Sequence, residues 1–150
     1  MRNRSLTTVR EMQRYLYGSL SDLYDSHLLK DADKGAEIIK EKIETGKKIR
    51  IISDYDVDGV SSNYILYQGL KRCGADVDYK IPDRVEDGYG INEHLIEKAA
   101  EDGIDTIITC DNGIAAAEQI AYGNSLGLTL IVTDHHDIPF QRSRRWKHFL

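Results

Sequence analysis

The chain has 150 residues, 41% hydrophobic and 30% charged, which suits one soluble globular domain with a real core. It holds no run of about 20 apolar residues to span a bilayer, and Arg2, Asn3 and Arg4 follow Met1 where a secretory leader would turn apolar, so a cytoplasmic protein without a membrane partner is expected. A formal net charge of -5 excludes a general basic footprint for nucleic acid, although carboxylates clustered around divalent cations make a metalloenzyme look acidic in the same count.

Residues 1–30 read as an N-terminal helical extension, in which Val9 to Tyr17 is helical and Ser21 to Leu29 mixes turn formers with Leu23, Leu28 and Leu29. From Asp31 helical and strand-like periods alternate. Ala32, Ala36, Ile39 and Ile43 share one helical face, and Gly46 follows as a stop. Ile49 to Ser53 is a short β-branched run, the mark of a buried strand. Val60 to Cys73 is a helix apolar on two sides, Val60, Tyr64 and Tyr67 on one and Leu66, Leu70 and Cys73 on the other, so it is expected to pack on a sheet and on something else. Gly74 ends it. Val77, Tyr79 and Ile81 alternate with polar residues, as in a half-exposed strand. A Gly-rich loop, Asp87-Gly88-Tyr89-Gly90, precedes a helix with Ile91, Leu95, Ile96, Ala99 and Ala100 on one face. The strand Thr106 to Thr109, the helix Ile114 to Tyr122 and the strand Leu128 to Thr133 complete the series.

Strands separated by helical segments of about ten residues imply right-handed crossovers and a mostly parallel sheet. The expected fold is α/β and Rossmann-like, with helices on both faces, over residues 31–140. Gln141 to Leu150 breaks the pattern and is strongly basic, a tail that suits either solvent or DNA. Cys73 and Cys110 are too few and unpatterned for a disulfide framework or zinc knuckle, and both are expected to be buried as small apolar residues.

In open parallel sheets ligands bind beyond the carboxyl ends of the strands. After the first strand stands Asp54-Tyr55-Asp56-Val57-Asp58-Gly59, after the third Asp111-Asn112-Gly113, and after the fourth Asp134-His135-His136-Asp137. Each has an ordinary explanation in isolation. The first resembles an EF-hand loop, without the later Glu or a preceding helix; the second suits an Asx-type helix cap; the third suits a solvated turn. Together they deliver carboxylates and imidazoles to one sheet edge, an unfavourable convergence unless cations fill it. Hard divalent ions that accept oxygen and imidazole ligands, Mn²⁺ or Mg²⁺, are the expected occupants. Arg84 is a candidate phosphate clamp or an exposed surface Arg. Ser61 and Ser62 open a helix, where free N–H groups favour anions, or are plain helix residues.

These residues resemble the first three motifs of the DHH phosphoesterase superfamily. The first motif begins with Asp54 where polyphosphatase-like and oligoribonuclease-like members begin with His, and Pro82-Asp83-Arg84 with Asp87-Gly88-Tyr89-Gly90 resembles the loop of the RecJ branch. The likeness extends through Leu28-Leu29-Lys30-Asp31 and Lys47-Lys48-Ile49 and covers roughly Tyr15 to Ile138. It implies a 5′→3′ exonuclease for single-stranded DNA in recombination and repair, using Mn²⁺ or Mg²⁺. Asp54 and Asp56 would hold one ion, Asp58 and His135 the other, with Asp111 bridging; Asp134 would orient, and His136 would contact the scissile phosphate. Members carry a further metal-ligating Asp downstream and a second domain that grips nucleic acid, so the chain is expected to hold an incomplete core, completed by a C-terminal domain or a replication or repair protein. Two other outcomes remain open: a phosphodiesterase for short oligonucleotides or cyclic dinucleotides, and a non-catalytic binding module that retains the fold.

Overall fold

A computed structural model describes residues 5–85 and 87–137; the basic tail lies outside the described residues. The chain divides into two compact units, residues 1–33 and 34–150. In the first, α1 (Val9–Tyr17) starts on a capping box: Thr8 Oγ1 accepts from Glu11 N at 3.2 Å, and the Glu11 carboxylate accepts from Thr8 N at 2.8 Å. Short 3₁₀ turns follow at Leu20–Asp22 and Ser26–Leu28.

The larger unit is a parallel sheet of four strands in the order β2-β1-β3-β4, comprising β1 (Lys48–Ser53), β2 (Asp76–Lys80), β3 (Thr106–Cys110) and β4 (Thr129–Thr133). Around it lie α2 (Ala32–Glu44), α3 (Val57–Arg72), α4 (Glu93–Glu101) and α5 (Ala117–Ser125). β3 is buried along its whole length, as a central strand covered on both faces must be. Its alternation splits the core in two. Ile107 and Ile52 face Leu95, Ile96 and Ile120 of α4 and α5, while Ile108, Ile49 and Ile51 face Leu70 of α3, with Ile39 and Ile43 of α2 packed on them. The α/β architecture with helices on both faces is therefore as the periodicity predicts.

The strand order reverses between β1 and β3, the switch point where open sheets bind ligands. Ser53 pairs with Cys110, and Cys110 with Thr133. The next residues along those strands are Asp54, Asp111 and Asp134, so register alone sets the three motifs side by side, at strand spacings of about 4.8 Å.

Three details depart from the sequence reading. Cys73 is exposed, not buried; it closes the C-terminus of α3, where a residue need not face the sheet, whereas Cys110 is buried in β3. On α3, Leu66 and Leu70 pack on the sheet, but Val60 and Tyr64 stay exposed. The starts of α3 and α4 also move, because side-chain caps decide them. Asp56 caps α3 by accepting from Gly59 N at 3.0 Å, and Asn92 caps α4 by accepting from Leu95 N at 2.9 Å.

Candidate metal centre

Asp54 leaves β1 buried, and its Oδ1 accepts from Tyr55 N at 2.7 Å. The chain turns at once into α3, so closely that a Cβ on Gly59 would stand 2.5 Å from the Asp54 carbonyl oxygen. Only glycine allows this approach. The turn brings Asp56 and Asp58, both exposed, to the mouth of the same edge. Asp56 titrates below the ordinary carboxylate range, chiefly through the hydrogen bond it receives from Gly59 N.

Asp111 follows β3 with φ 61°, held by its N–H on Thr133 O at 3.0 Å. This left-handed turn aims its carboxylate into the cluster with a side-chain exposure of 5%. Both carboxylate oxygens are shut off from solvent and have no hydrogen-bond donor among the described residues. His135 Nε2 comes within 2.9 Å of Oδ1, near enough to share an ion but not aligned as a hydrogen bond. Burial pushes the Asp111 pKa up, and the charges of Asp58 and Asp56 push the same way.

Asp134 is the best-anchored carboxylate. Its Oδ2 accepts from Ile114 N at 2.9 Å, and its Oδ1 accepts from His136 N at 3.1 Å and lies 2.7 Å from His136 Nδ1. Burial raises its pKa, but these hydrogen bonds outweigh burial and hold it below the ordinary value; in return Asp134 raises the pKa of His136. The solvated-turn explanation of Asp134-His135-His136 fails at Asp134, whose side chain is 2% exposed. The Asx-cap explanation of Asp111-Asn112-Gly113 fails too, since α5 starts behind Ala116 with no side-chain cap.

Among the described residues, two sets of ligand atoms converge within 4.8 Å: Asp54, Asp56 and Asp111, and then Asp111, His135 and His136. Asp111 is common to both. Asp58 enters neither set, although its Oδ2 lies 3.7 Å from His135 Nε2. Ser61 donates its hydroxyl to Val57 O at 2.6 Å, which commits its proton inside α3. Arg84 is exposed with its guanidinium over the Tyr55 ring, 5.4 Å from the centroid. Tyr89, not singled out from sequence, packs edge-on against Tyr55 with centroids 6.4 Å apart. Burial raises its pKa, reinforced by the charges of Asp54, Asp134, Asp111 and Asp56. Its position between two glycines was the available signal.

The donor set fits hard divalent cations. A buried, unpartnered carboxylate costs about 1–3 kcal/mol or more, and oxygen and imidazole donors suit Mn²⁺ or Mg²⁺.

Comparison with known proteins gives a consistent result. The DHH family, N-terminal domain, is matched over residues 48–146. The single-stranded-DNA-specific exonuclease RecJ of Bacillus subtilis (strain 168) is 39% identical over 134 residues, 89% of this chain and 17% of that protein. Its counterpart in Salmonella typhimurium is 33% identical over 135 residues, 89% of this chain and 23% of that protein. The chain thus spans under a quarter of the length of these curated relatives. A crystal structure of exonuclease RecJ bound to manganese superposes with a TM-score of 0.69 at 37% identity, covering 74% of this chain and 29% of that one.

Proposed function

The chain belongs to the DHH family, and from that premise we propose that it carries the metal centre of a RecJ-like 5′→3′ exonuclease for single-stranded DNA, acting in recombination and repair in the cytoplasm. Residues 31–140 are the domain that carries the chemistry, with residues 1–30 as an extension and 141–150 as a basic tail. A C-terminal domain, or a replication or repair protein, supplies the rest of the DNA-binding cleft.

The observation that supports this most is Asp111, buried, without a hydrogen-bond donor and common to both ligand sets. Asp54, Asp56 and Asp111 would hold one Mn²⁺ or Mg²⁺, and Asp111 and His135 a second, with Asp58, 3.7 Å from His135 Nε2, as a further donor. Bound there, the ions would supply a hydroxide from water and offset charge on the attacking and leaving oxygens. His136 keeps Nδ1 on Asp134, which favours its protonated form, and as an imidazolium it has an Nε2–H to donate to a phosphate oxygen. Asp134 fixes that ring and the turn around it. Tyr89, exposed beside the cluster, offers a face on which a nucleobase stacks, and Arg84 offers a charge to a phosphate beyond it. With its proton committed to Val57 O, Ser61 has at most a secondary part.

The test is hydrolysis of a 5′-labelled single-stranded oligonucleotide and of a dinucleotide in Mn²⁺, with Asp111→Ala as control. Turnover lost in that variant supports the proposal. Turnover of dinucleotides but never of longer strands, even with a C-terminal domain fused, points to a short-oligonucleotide phosphodiesterase. Metal binding with no turnover of either, even with a C-terminal domain fused, points to a binding module.

A further inference from the structure

We propose that Asn112 is a positioning residue: its buried side-chain amide ties the Tyr89–Ile91 segment to the strand ends that carry the carboxylates, and so governs how substrate is engaged without holding metal. This deepens the phosphodiesterase reading and rests on it for its effect on substrate.

Asn112 is 1% exposed, and both protons of its amide are committed to backbone carbonyls. Nδ2 donates to Ile52 O and to Cys110 O, each at 3.0 Å, and Oδ1 accepts from Ile91 N at 3.2 Å. Those partners are informative by their neighbours. Ile52 stands two residues before Asp54, Cys110 one before Asp111, and Ile91 two after Tyr89. One side chain therefore joins both central carboxylate strands to the rim that presents Tyr89. The isosteric Asp would set an oxygen against two carbonyl oxygens, and an apolar residue would leave Ile91 N–H buried and unpaired.

The segment is fitted to this clamp from its own side. Gly90 has φ 69°, and a Cβ there would lie 3.5 Å from Asn112 Cβ. The other end is fixed as well: Asp87 O accepts from Asn92 Nδ2 at 2.8 Å, and Asp87 Oδ2 accepts from Asp83 N at 2.8 Å. Tyr89 is thus strung between two anchored points, and its ring meets Tyr55, the neighbour of Asp54.

A merely structural asparagine and a positioning one give different results in the 150-residue chain. In Asn112→Ala, amide exchange at Ile91 should accelerate about tenfold or more relative to Ile108, the scale set by one lost hydrogen bond. The Tyr89 ring resonances should shift. Mn²⁺ affinity by calorimetry should stay within about threefold, while KM for a dinucleotide in Mn²⁺ rises about tenfold with kcat nearly kept. Gly90→Ala, strained at its positive φ, perturbs the same contact without touching the strand ends and should show the same pattern, so it decides the matter if the first variant does not fold. Unchanged Ile91 exchange, or equal loss at Ile91 and Ile108 with Mn²⁺ affinity falling alongside, overturns the proposal. A wild-type chain without turnover even when fused to a C-terminal domain sinks the assigned activity instead, and Ile91 exchange, Tyr89 resonances and Mn²⁺ affinity then decide the role of Asn112.

Discussion

Asp134 holds His136 twice, by the backbone N–H at 3.1 Å and by the ring Nδ1 at 2.7 Å. This pairing fixes the protonated nitrogen and leaves Nε2 for a partner across the site. Its outer oxygen, meanwhile, accepts from Ile114 N at 2.9 Å and anchors the turn into α5.

Asp134→Asn should therefore separate activity from folding. One amide oxygen still accepts from Ile114 N, but the amide loses the charge that orients His136, and an effect of about 10–100-fold on turnover is expected. Asp134→Ala should add about 1–3 kcal/mol of destabilisation from an unpaired buried N–H. Denaturant melts beside kinetics on the two variants check both statements; equal kinetics in Asp134→Asn and wild type would remove Asp134 from the mechanism.

Asp111 should show the opposite balance between apo and metal-bound protein. Its carboxylate is buried, lacks a donor and titrates above its ordinary value. A raised carboxylate opposes folding above that pKa, where it must ionise, and the penalty fades as pH falls. Asp111→Asn should thus raise the melting temperature of the metal-free protein near neutral pH. In wild type, Mn²⁺ at a hundredfold excess over its Kd should contribute about 2.7 kcal/mol, and most of that gain should vanish in the variant. A melting curve indifferent to millimolar Mn²⁺ in wild type would count against the site.

Acid stability should depend on a cluster away from the metal centre. Arg50, on β1, forks onto Asp78 at 2.7 Å by two nitrogens and reaches Asp102 at 2.8 Å. The Arg50 hydrogen bond is the foremost cause holding Asp102 below its ordinary 3.8, and Arg50 itself is held still more firmly protonated. A depressed carboxylate contributes stability above its ordinary pKa and loses it as pH falls through the folded value. Urea midpoints should accordingly fall below about pH 4 in wild type. Asp102→Asn should flatten that part of the profile while leaving Mn²⁺ affinity unaltered; a profile of unchanged slope would show that other groups set the acid limit.

Periodicity made the strands, helices and the shared edge legible, because burial of Ile49, Ile51, Ile107 and Ile108 is a local demand that the sequence states directly. Helix starts were less legible. They depend on which carboxylate or amide meets a free N–H, as Asp56 does for Gly59 and Asn92 for Leu95. The meeting of Asp54, Asp111 and Asp134 could be foreseen from strand ends, yet the inclusion of His136 and the standing-off of Asp58 could not, since spacing along the chain does not fix side-chain direction across strands. Asn112 was least visible of all. Its partners Ile91 and Ile52 lie 21 and 60 residues away, and a local reading of Asp-Asn-Gly suggests a cap that the chain does not form.

Gly59 offers the sharpest separation of local preference from site geometry. It lies in the first turn of α3, where alanine is intrinsically favoured over glycine by about 1 kcal/mol in a helix. Helix propensity alone would make Gly59→Ala stabilising. A Cβ there, however, stands 2.5 Å from the Asp54 carbonyl oxygen, 2.7 Å from its carbon and 2.9 Å from the Asp54 Cβ, and these are rigid atoms that must move. Asp54 follows Ser53, which is fixed against Cys110 in the sheet, so the displacement falls on the carboxylate or on the first turn that carries Asp56 and Asp58. Gly59→Ala should weaken Mn²⁺ binding by about tenfold or more, since metal donors tolerate errors of only about 0.5 Å, while the helix gain offsets part of the lost stability. Calorimetric titration with Mn²⁺ beside a thermal melt decides it: an affinity equal to wild type in a folded variant would show that the approach of α3 to Asp54 does not set the metal geometry.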